Sequence, residues 1–294
     1  MAKKIEGVIP PIITTFDENG KFDPIRMKNL IERLENAKIH GLFVCGTYGS
    51  GPLLSLNERK IILETVTKIT KNCSIMAHVG SSNPDEVIDL AKHAESVGVD
   101  AVSTVVPFYY SYSYNEDDIK RFFNKLVNSV KIPVYIYNNP KTTGYTLTIS
   151  LLKSLINEGI AGIKDSSFDL LFFYNLKFEI DISKFNYIIG TEAFIIPTIP
   201  LGAIATISGL ANVFPELIVK TYELAKSNKL DEAVKLQDKV NKLRNIQHIT
   251  QTIPAIYALL EILGIDAGYP KFPFNSVPDS IKIKMKKLLD EVGV

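Results

Sequence analysis

Residues 160–166 read Ile160-Ala161-Gly162-Ile163-Lys164-Asp165-Ser166. The short apolar run Ile160–Lys164 ends in a lysine, with a carboxylate next to it. A helical pattern precedes it over Thr148–Asn157, and another follows over Phe168–Phe178. A strand set between helices is one unit of a parallel sheet with both faces covered. Seven further runs have the same setting: Gly7–Thr14, Gly41–Gly46, Ser74–Val79, Asp100–Val106, Pro133–Asn138, Tyr187–Gly190 and Ala203–Ser208. Helical patterns fill the gaps between them. One opens at Asp23-Pro24, an N-cap followed by proline. One opens at the capping box Ser55-Leu56-Asn57-Glu58, and one at Asn83-Pro84. The others cover Glu116–Val130, Glu192–Ile199 and Pro215–Ala225. Eight strands is the number that closes a (β/α)₈ TIM barrel, an α/β fold.

A doubly wound sheet would need a Gly-x-Gly-x-x-Gly turn after the first strand. Thr15-Phe16-Asp17-Glu18-Asn19-Gly20 stands there instead. After the eighth unit the pattern is helical only, with Leu230, Ala233, Val234, Leu236, Val240 and Leu243 in one stripe. The expected organisation is a barrel over 1–228 and a C-terminal helical bundle over 229–294, with no catalytic residue in the bundle.

Composition narrows the function. The 294 residues are 46% apolar and 22% charged, which is ordinary for a globular chain. Lys and Arg number 33 against 32 Asp and Glu, so no basic field suits nucleic acid. Only five of the cations are arginine: Arg26, Arg33, Arg59, Arg121 and Arg244. That disfavours a phosphate-rich ligand. Cys45 and Cys73 have no metal or disulfide spacing. His40, His78, His93 and His248 share no metal spacing, so no metal is expected. No apolar run is long enough to span a membrane. Met1-Ala2-Lys3-Lys4 leads into the first strand without a signal-peptide core, so a cytoplasmic protein without membrane partners is expected.

In TIM barrels the site lies at the C-terminal ends of the strands. Lys164 is the one Lys or Arg inside the eight runs. Alternation places it with Gly162 on the barrel interior, while Ala161 and Ile163 face the helices. Burial lowers a lysine pKa, and a depression of ~3 costs roughly 4 kcal/mol. A neutral amine at that place attacks carbonyls to form a Schiff base. The plainer reading is a lysine paired with a carboxylate. Its neighbour Asp165 points to the other face, so it is a poor partner. No other lysine is expected at the barrel mouth. Tyr137 ends the adjacent strand, and its hydroxyl could reach Lys164 across the barrel and move protons there; taken alone it reads as a core tyrosine. Gly46-Thr47-Tyr48-Gly49-Ser50-Gly51 fits an anion cradle or a plain tight turn equally.

Four motifs, in this order on eight strands, form a specific set: Pro10-Pro11-Ile12-Ile13-Thr14-Thr15-Phe16, Gly46-Thr47, Tyr137-Asn138-Asn139-Pro140 with Gly144, and Gly162-Ile163-Lys164-Asp165. Over nearly its whole length the chain resembles the dihydrodipicolinate synthase and N-acetylneuraminate lyase family of class I pyruvate aldolases. The resemblance implies that Lys164 forms the Schiff base with a pyruvate unit and needs no cofactor. It implies Tyr137 as proton donor and acceptor, and a Thr47 turn that holds the carboxylate. It implies that Tyr109 enters a neighbouring subunit's site, within a homotetramer built as a dimer of dimers. Tyr48, Asn139, Ser166, Gly190, Glu192, Ser208 and Gly209 match positions that line the substrate.

Gly49-Ser50-Gly51-Pro52 and Lys164-Asp165-Ser166 look like archaeal-type 2-keto-3-deoxygluconate aldolases. The implied partners are therefore a small keto acid and an aldehyde. The chain departs from the family pattern at four places. The synthase branch has an arginine where Thr142 stands. Phosphate-accepting aldolases have Pro-Arg where Ser111-Tyr112 stand, and a tyrosine where Asn139 stands. Tyr48 replaces a Thr or Ser whose hydroxyl relays protons between two tyrosines. The alternatives are another Schiff-base pyruvate lyase or dehydratase or a dihydrodipicolinate synthase-like enzyme of the same family, and after these a non-catalytic keto-acid-binding barrel.

Overall fold

A computed structural model describes residues 5–294. Met1–Lys4, read above as leading into the first strand, lie outside the described residues. Eight parallel strands form one sheet: β1 (Gly7–Ile9), β2 (Gly41–Val44), β3 (Ser74–His78), β4 (Ala101–Val105), β5 (Val134–Asn138), β6 (Gly162–Asp165), β7 (Asn186–Ile189) and β8 (Ala205–Ile207). Pairing runs β1-β8-β7-β6-β5-β4-β3-β2. The seam between β1 and β2 is closed by His40 N–H donating to Val8 O and Phe43 N–H donating to Pro10 O, at 2.9 Å each. Ile12 N–H donates to Phe43 O at 3.1 Å. The chain is thus a TIM barrel with C-terminal helices.

Several elements are shorter than the sequence pattern predicts. β1 ends at Ile9 rather than Thr14, because Pro10 and Pro11 have no N–H for a ladder. The buried Asn212 side chain ties down that extended segment, accepting from Ile13 N–H and donating to Pro11 O. The expected helix over Glu192–Ile199 is three short turns, Glu192–Phe194, Ile195–Thr198 and Ile199–Leu201. Pro197 and Pro200 remove the bonds that a continuous helix needs. The helix expected over Glu116–Val130 ends at Val127, and that expected over Phe168–Phe178 runs Leu170–Glu179 behind an Asp169 cap. The Asp23, Ser55 and Asn83 caps form as read.

Two apolar cores follow from strand alternation. One lies between sheet and helices. The other fills the barrel with Ile9, Phe43, Met76, Ala101, Val105, Tyr135, Tyr137, Ile188, Ala205 and Ile207. Arg59 is buried on the helix Leu56–Ile69, and its guanidinium donates to the carbonyls of His78 and Gly80. It therefore fixes the end of β3. After the barrel come the helices Leu230–Gln247, Thr252–Ile262 and Asp279–Val292. Among the described residues no helix is long and apolar enough to cross a membrane.

Gly162 marks where the barrel is tightest. A Cβ there would lie 2.4 Å from the Tyr135 ring and 2.5 Å from Asn186 O. Gly162→Ala is expected to cost about 1–3 kcal/mol through overpacking. A chemical-denaturation midpoint equal to that of the unaltered chain would refute this.

Candidate active site

The register of β5 on β6 places Tyr137 directly beside Lys164. They are lateral neighbours, not partners across the barrel. Lys164 is 3% exposed, and its Nζ lies 3.7 Å from the centre of the Tyr137 ring and 3.9 Å from that of Phe43. The amine thus sits on two aromatic faces. Burial lowers its pKa below the ordinary lysine value, and the charge and hydroxyl of Tyr137 oppose this only in part. For Tyr137, burial raises the pKa. The Lys164 charge, with hydrogen bonds to Thr47, Lys164 and Ser166, outweighs burial and leaves the phenol more acidic than usual.

His78 packs edge-on against the Tyr137 ring. Its Nδ1 donates to Ser103 O at 3.1 Å. Burial, then the charges of Arg59 and Lys164, hold its pKa well below the ordinary histidine value. It stays neutral and adds no charge beside the amine.

Asp165 faces outward, as alternation requires. It accepts from Tyr187 Oη at 2.6 Å, Asn138 Nδ2 at 2.8 Å and Ser167 N–H at 3.0 Å. Its carboxylate is spent on these three donors and does not pair with Lys164.

A cleft of ≈ 390 Å³ opens over the amine. Thr47, Tyr48, Tyr137, Asn139, Lys164, Ser166, Gly190, Glu192 and Gly209 of the sequence-predicted set line it. Asn139 Nδ2 donates to Tyr137 Oη at 3.1 Å, and Thr47 Oγ1 lies 3.3 Å from the same oxygen. The hydroxyl that reaches Tyr137 is therefore that of Thr47, and not that of position 48 as expected. Tyr48 Oη instead accepts from Gln247 Nε2 at 2.8 Å. Burial, with the nearby Glu192 charge, raises the Tyr48 pKa, so the phenol stays protonated. Ser208 stands behind the wall, its Oγ donating to Glu192 Oε2 at 2.8 Å. Tyr109 is 71% exposed and lies outside the cleft of its own chain.

Two expectations are corrected here. The C-terminal helices do reach the site: Arg244, His248, Gln251, Thr252 and Ile253 line the cleft. And a second lysine, Lys141, reaches the mouth after β5. Arg244 Nε is ion-paired with Glu192 Oε1 at 3.3 Å, and its guanidinium lies 5.6 Å from the Phe168 ring centre. Burial, then the charges of Arg244 and Lys141, lowers the pKa of His248. Only Arg244 and Gln247 share a face of the helix, which ends at Gln247, and the remaining lining residues come from the turn and the helix start that follow, so no single periodicity marked this face. Among the described residues no three His, Cys, Asp or Glu side chains gather as metal ligands.

Replacing the buried amine by an apolar chain of similar shape tests its cost. Lys164→Met is expected to abolish covalent capture of keto acids and to stabilise the fold by on the order of 1 kcal/mol, raising Tm by about 2–4 °C. The folded pKa lies below the unfolded value of 10.5, so the unfolded chain binds more protons between the two. The Tm advantage of the variant should therefore shrink as pH rises towards 10.5. A gap that widens with pH would contradict a depressed pKa.

Residues 4–292 match the family model described as the dihydrodipicolinate synthetase family. A 4-hydroxy-tetrahydrodipicolinate synthase of Methanopyrus kandleri is 30% identical over 299 residues, covering 100% of this chain and 98% of that protein. CdNal from Clostridium difficile, solved in complex with mannosamine, is 28% identical with a TM-score of 0.92, covering 99% of this chain and 100% of that one. A variant of the Sulfolobus solfataricus 2-keto-3-deoxygluconate aldolase is also 28% identical, with a TM-score of 0.90 over 97% of this chain and 96% of that one. With its buried strand-end lysine and adjoining tyrosine, the chain belongs to the dihydrodipicolinate synthetase family of pyruvate-dependent lyases, which work through a lysine Schiff base and no external cofactor.

Proposed function

We propose that the protein is a class I aldolase that reversibly cleaves 2-keto-3-deoxy sugar acids, such as 2-keto-3-deoxygluconate, to pyruvate and an aldehyde. The observation that carries this reading is the Lys164 amine on the Tyr137 ring within a cleft lined by Glu192.

The chemistry follows from these groups. Neutral Lys164 attacks the keto carbon, and Tyr137 protonates the oxygen that leaves as water. The resulting iminium withdraws electrons from the adjacent carbon chain. Tyr137, again unprotonated, removes the proton of the C4 hydroxyl. The C3–C4 bond breaks, its electron pair passes to the enamine, and the aldehyde departs. Protonation of the enamine carbon and attack by water on the imine release pyruvate and restore the amine. Asn139 and Thr47 hold the Tyr137 oxygen through these transfers. Ser166, Gly190 and Glu192 line the polyol end, with Ser208 and Arg244 fixing the Glu192 carboxylate.

The reading includes a preference for the unphosphorylated substrate. Arginine is not absent from the cleft, since Arg244 stands there, but Glu192 engages it and itself repels a phosphate. We also place Tyr109 in the site of a neighbouring subunit, within a cytoplasmic homotetramer. Its exposed ring stacks edge-on with that of Tyr110, 5.0 Å between centres.

Borohydride reduction in the presence of pyruvate should add one pyruvate-derived mass, mapped to Lys164. Trapping on Lys141, or on no residue of the folded protein, would overturn the reading. The value of kcat/KM for 2-keto-3-deoxygluconate should exceed that for its 6-phosphate by about tenfold or more, a difference of ~1.4 kcal/mol. Equal or reversed values would refute the preference. Faster condensation of pyruvate with aspartate semialdehyde would favour the synthase activity for which the M. kandleri relative is named, which the threonine at position 142 argues against.

A further inference from the structure

The helix Leu230–Gln247 ends against the turn that follows β2. Gln247 is wholly buried there, although its side chain is polar. Its Nε2 donates to Tyr48 Oη at 2.8 Å, while its Oε1 has no partner among the described residues. A phenol oxygen carries one proton and accepts through its lone pairs. With the amide donating, a lone pair is engaged and the proton is left over. Among the described residues this hydroxyl has no other hydrogen bond.

The ring has a prepared seat. A Cβ at Gly209 would lie 2.5 Å from both the ring and the hydroxyl oxygen of Tyr48. Glycine at 209 therefore admits a side chain of this size. Three segments distant in sequence thus meet around one phenol: the turn at 48, the strand end at 209 and the helix end at 247.

The phenol lines the same cleft as Lys164. The turn that carries it is close to the reacting amine, because Thr47 Oγ1 lies 3.3 Å from Tyr137 Oη. The N–H groups of Thr47 and Tyr48 donate to no backbone carbonyl among the described residues. A 2-keto acid joined to Lys164 through its keto carbon carries its carboxylate on the next atom. Of the cations that line the cleft, Arg244 is engaged by Glu192, and Lys141 stands across the mouth in the turn after β5. Two free N–H groups and one free phenol proton are what this turn offers that anion. A role for Tyr48 as a proton relay would require a second, basic partner, and it has none.

We infer that Gln247 is a positioning residue that holds the Tyr48 hydroxyl with its proton directed at the carboxylate of the bound keto acid. The inference rests on the aldolase reading and assigns one end of its substrate. It makes the C-terminal helix part of keto-acid recognition.

The test compares borohydride trapping of pyruvate with that of pyruvamide, its neutral counterpart, at subsaturating concentrations. A hydrogen bond to a charged group is worth about ten-fold or more. Gln247→Leu and Tyr48→Phe should each lower the pyruvate-to-pyruvamide ratio by about tenfold. The double variant should lower it no further, since one device is removed twice. Tyr48→Phe removes a single oxygen and keeps the ring on Gly209, so it reports even if Gln247→Leu folds poorly. An unchanged ratio in Tyr48→Phe would overturn the inference while leaving the aldolase reading intact. So would an equal loss of both adducts in Gln247→Leu, which is the mark of packing alone. Failure of the unaltered protein to trap pyruvate would overturn the aldolase reading, and the inference with it.

Discussion

An amine that must be held inside an apolar barrel governs the arrangement around it. A cation over aromatic faces gains about 0.5–2 kcal/mol, whereas removing an ion from water costs several. The rings of Phe43 and Tyr137 therefore offset only part of the cost of the charged form. The remainder appears as a depressed pKa, which is the property that makes the amine a nucleophile. The surroundings keep that balance. His78 is held neutral by burial and by the Arg59 charge, and Asp165 is turned away and occupied by three donors. A carboxylate on the inner face would restore the ammonium and end the reactivity.

The parallel register then does the positioning. Tyr137 and Lys164 pair directly between β5 and β6, so no loop has to bring the phenol to the amine. Loops supply the adjustable parts. Asn139 and Thr47 come from strand-end turns and grip the Tyr137 oxygen. The segment after the barrel completes the wall with Arg244, His248 and Gln251, and Gln247 holds Tyr48 from behind. In the reaction proposed above, rigid strands carry the covalent chemistry and the separately attached helix acts on substrate recognition.

What could be read in the chain follows the same division. Strand alternation and the alternation of strands with helices are local patterns, and they placed Lys164 inside and Asp165 outside. Helix caps at Asp23, Ser55 and Asn83 are equally local. The contribution of Arg244 and Gln247 is not local. Their partners Glu192 and Tyr48 lie 52 and 199 positions away in the chain, and only the packing of the helix reveals them. The Thr47 and Tyr48 hydroxyls were exchanged for a related reason. Adjacent residues in a tight turn point in different directions, and periodicity does not say which. Likewise the prolines at 10, 11, 197 and 200 were visible, but strand and helix patterns ran through them without registering the lost N–H groups.

The opposed directions of Lys164 and Asp165 make β6 intolerant of a change in length. Inserting or deleting one residue ahead of Gly162 would exchange the two faces of the strand. The carboxylate would enter the barrel, and the amine would pass to the layer where Tyr187 and Asn138 now donate to Asp165. Both groups would lose their partners at once, with no gradual path between the arrangements. Any working descendant of this sequence is therefore confined to substitutions along β6, while the loops that flank it remain free to grow.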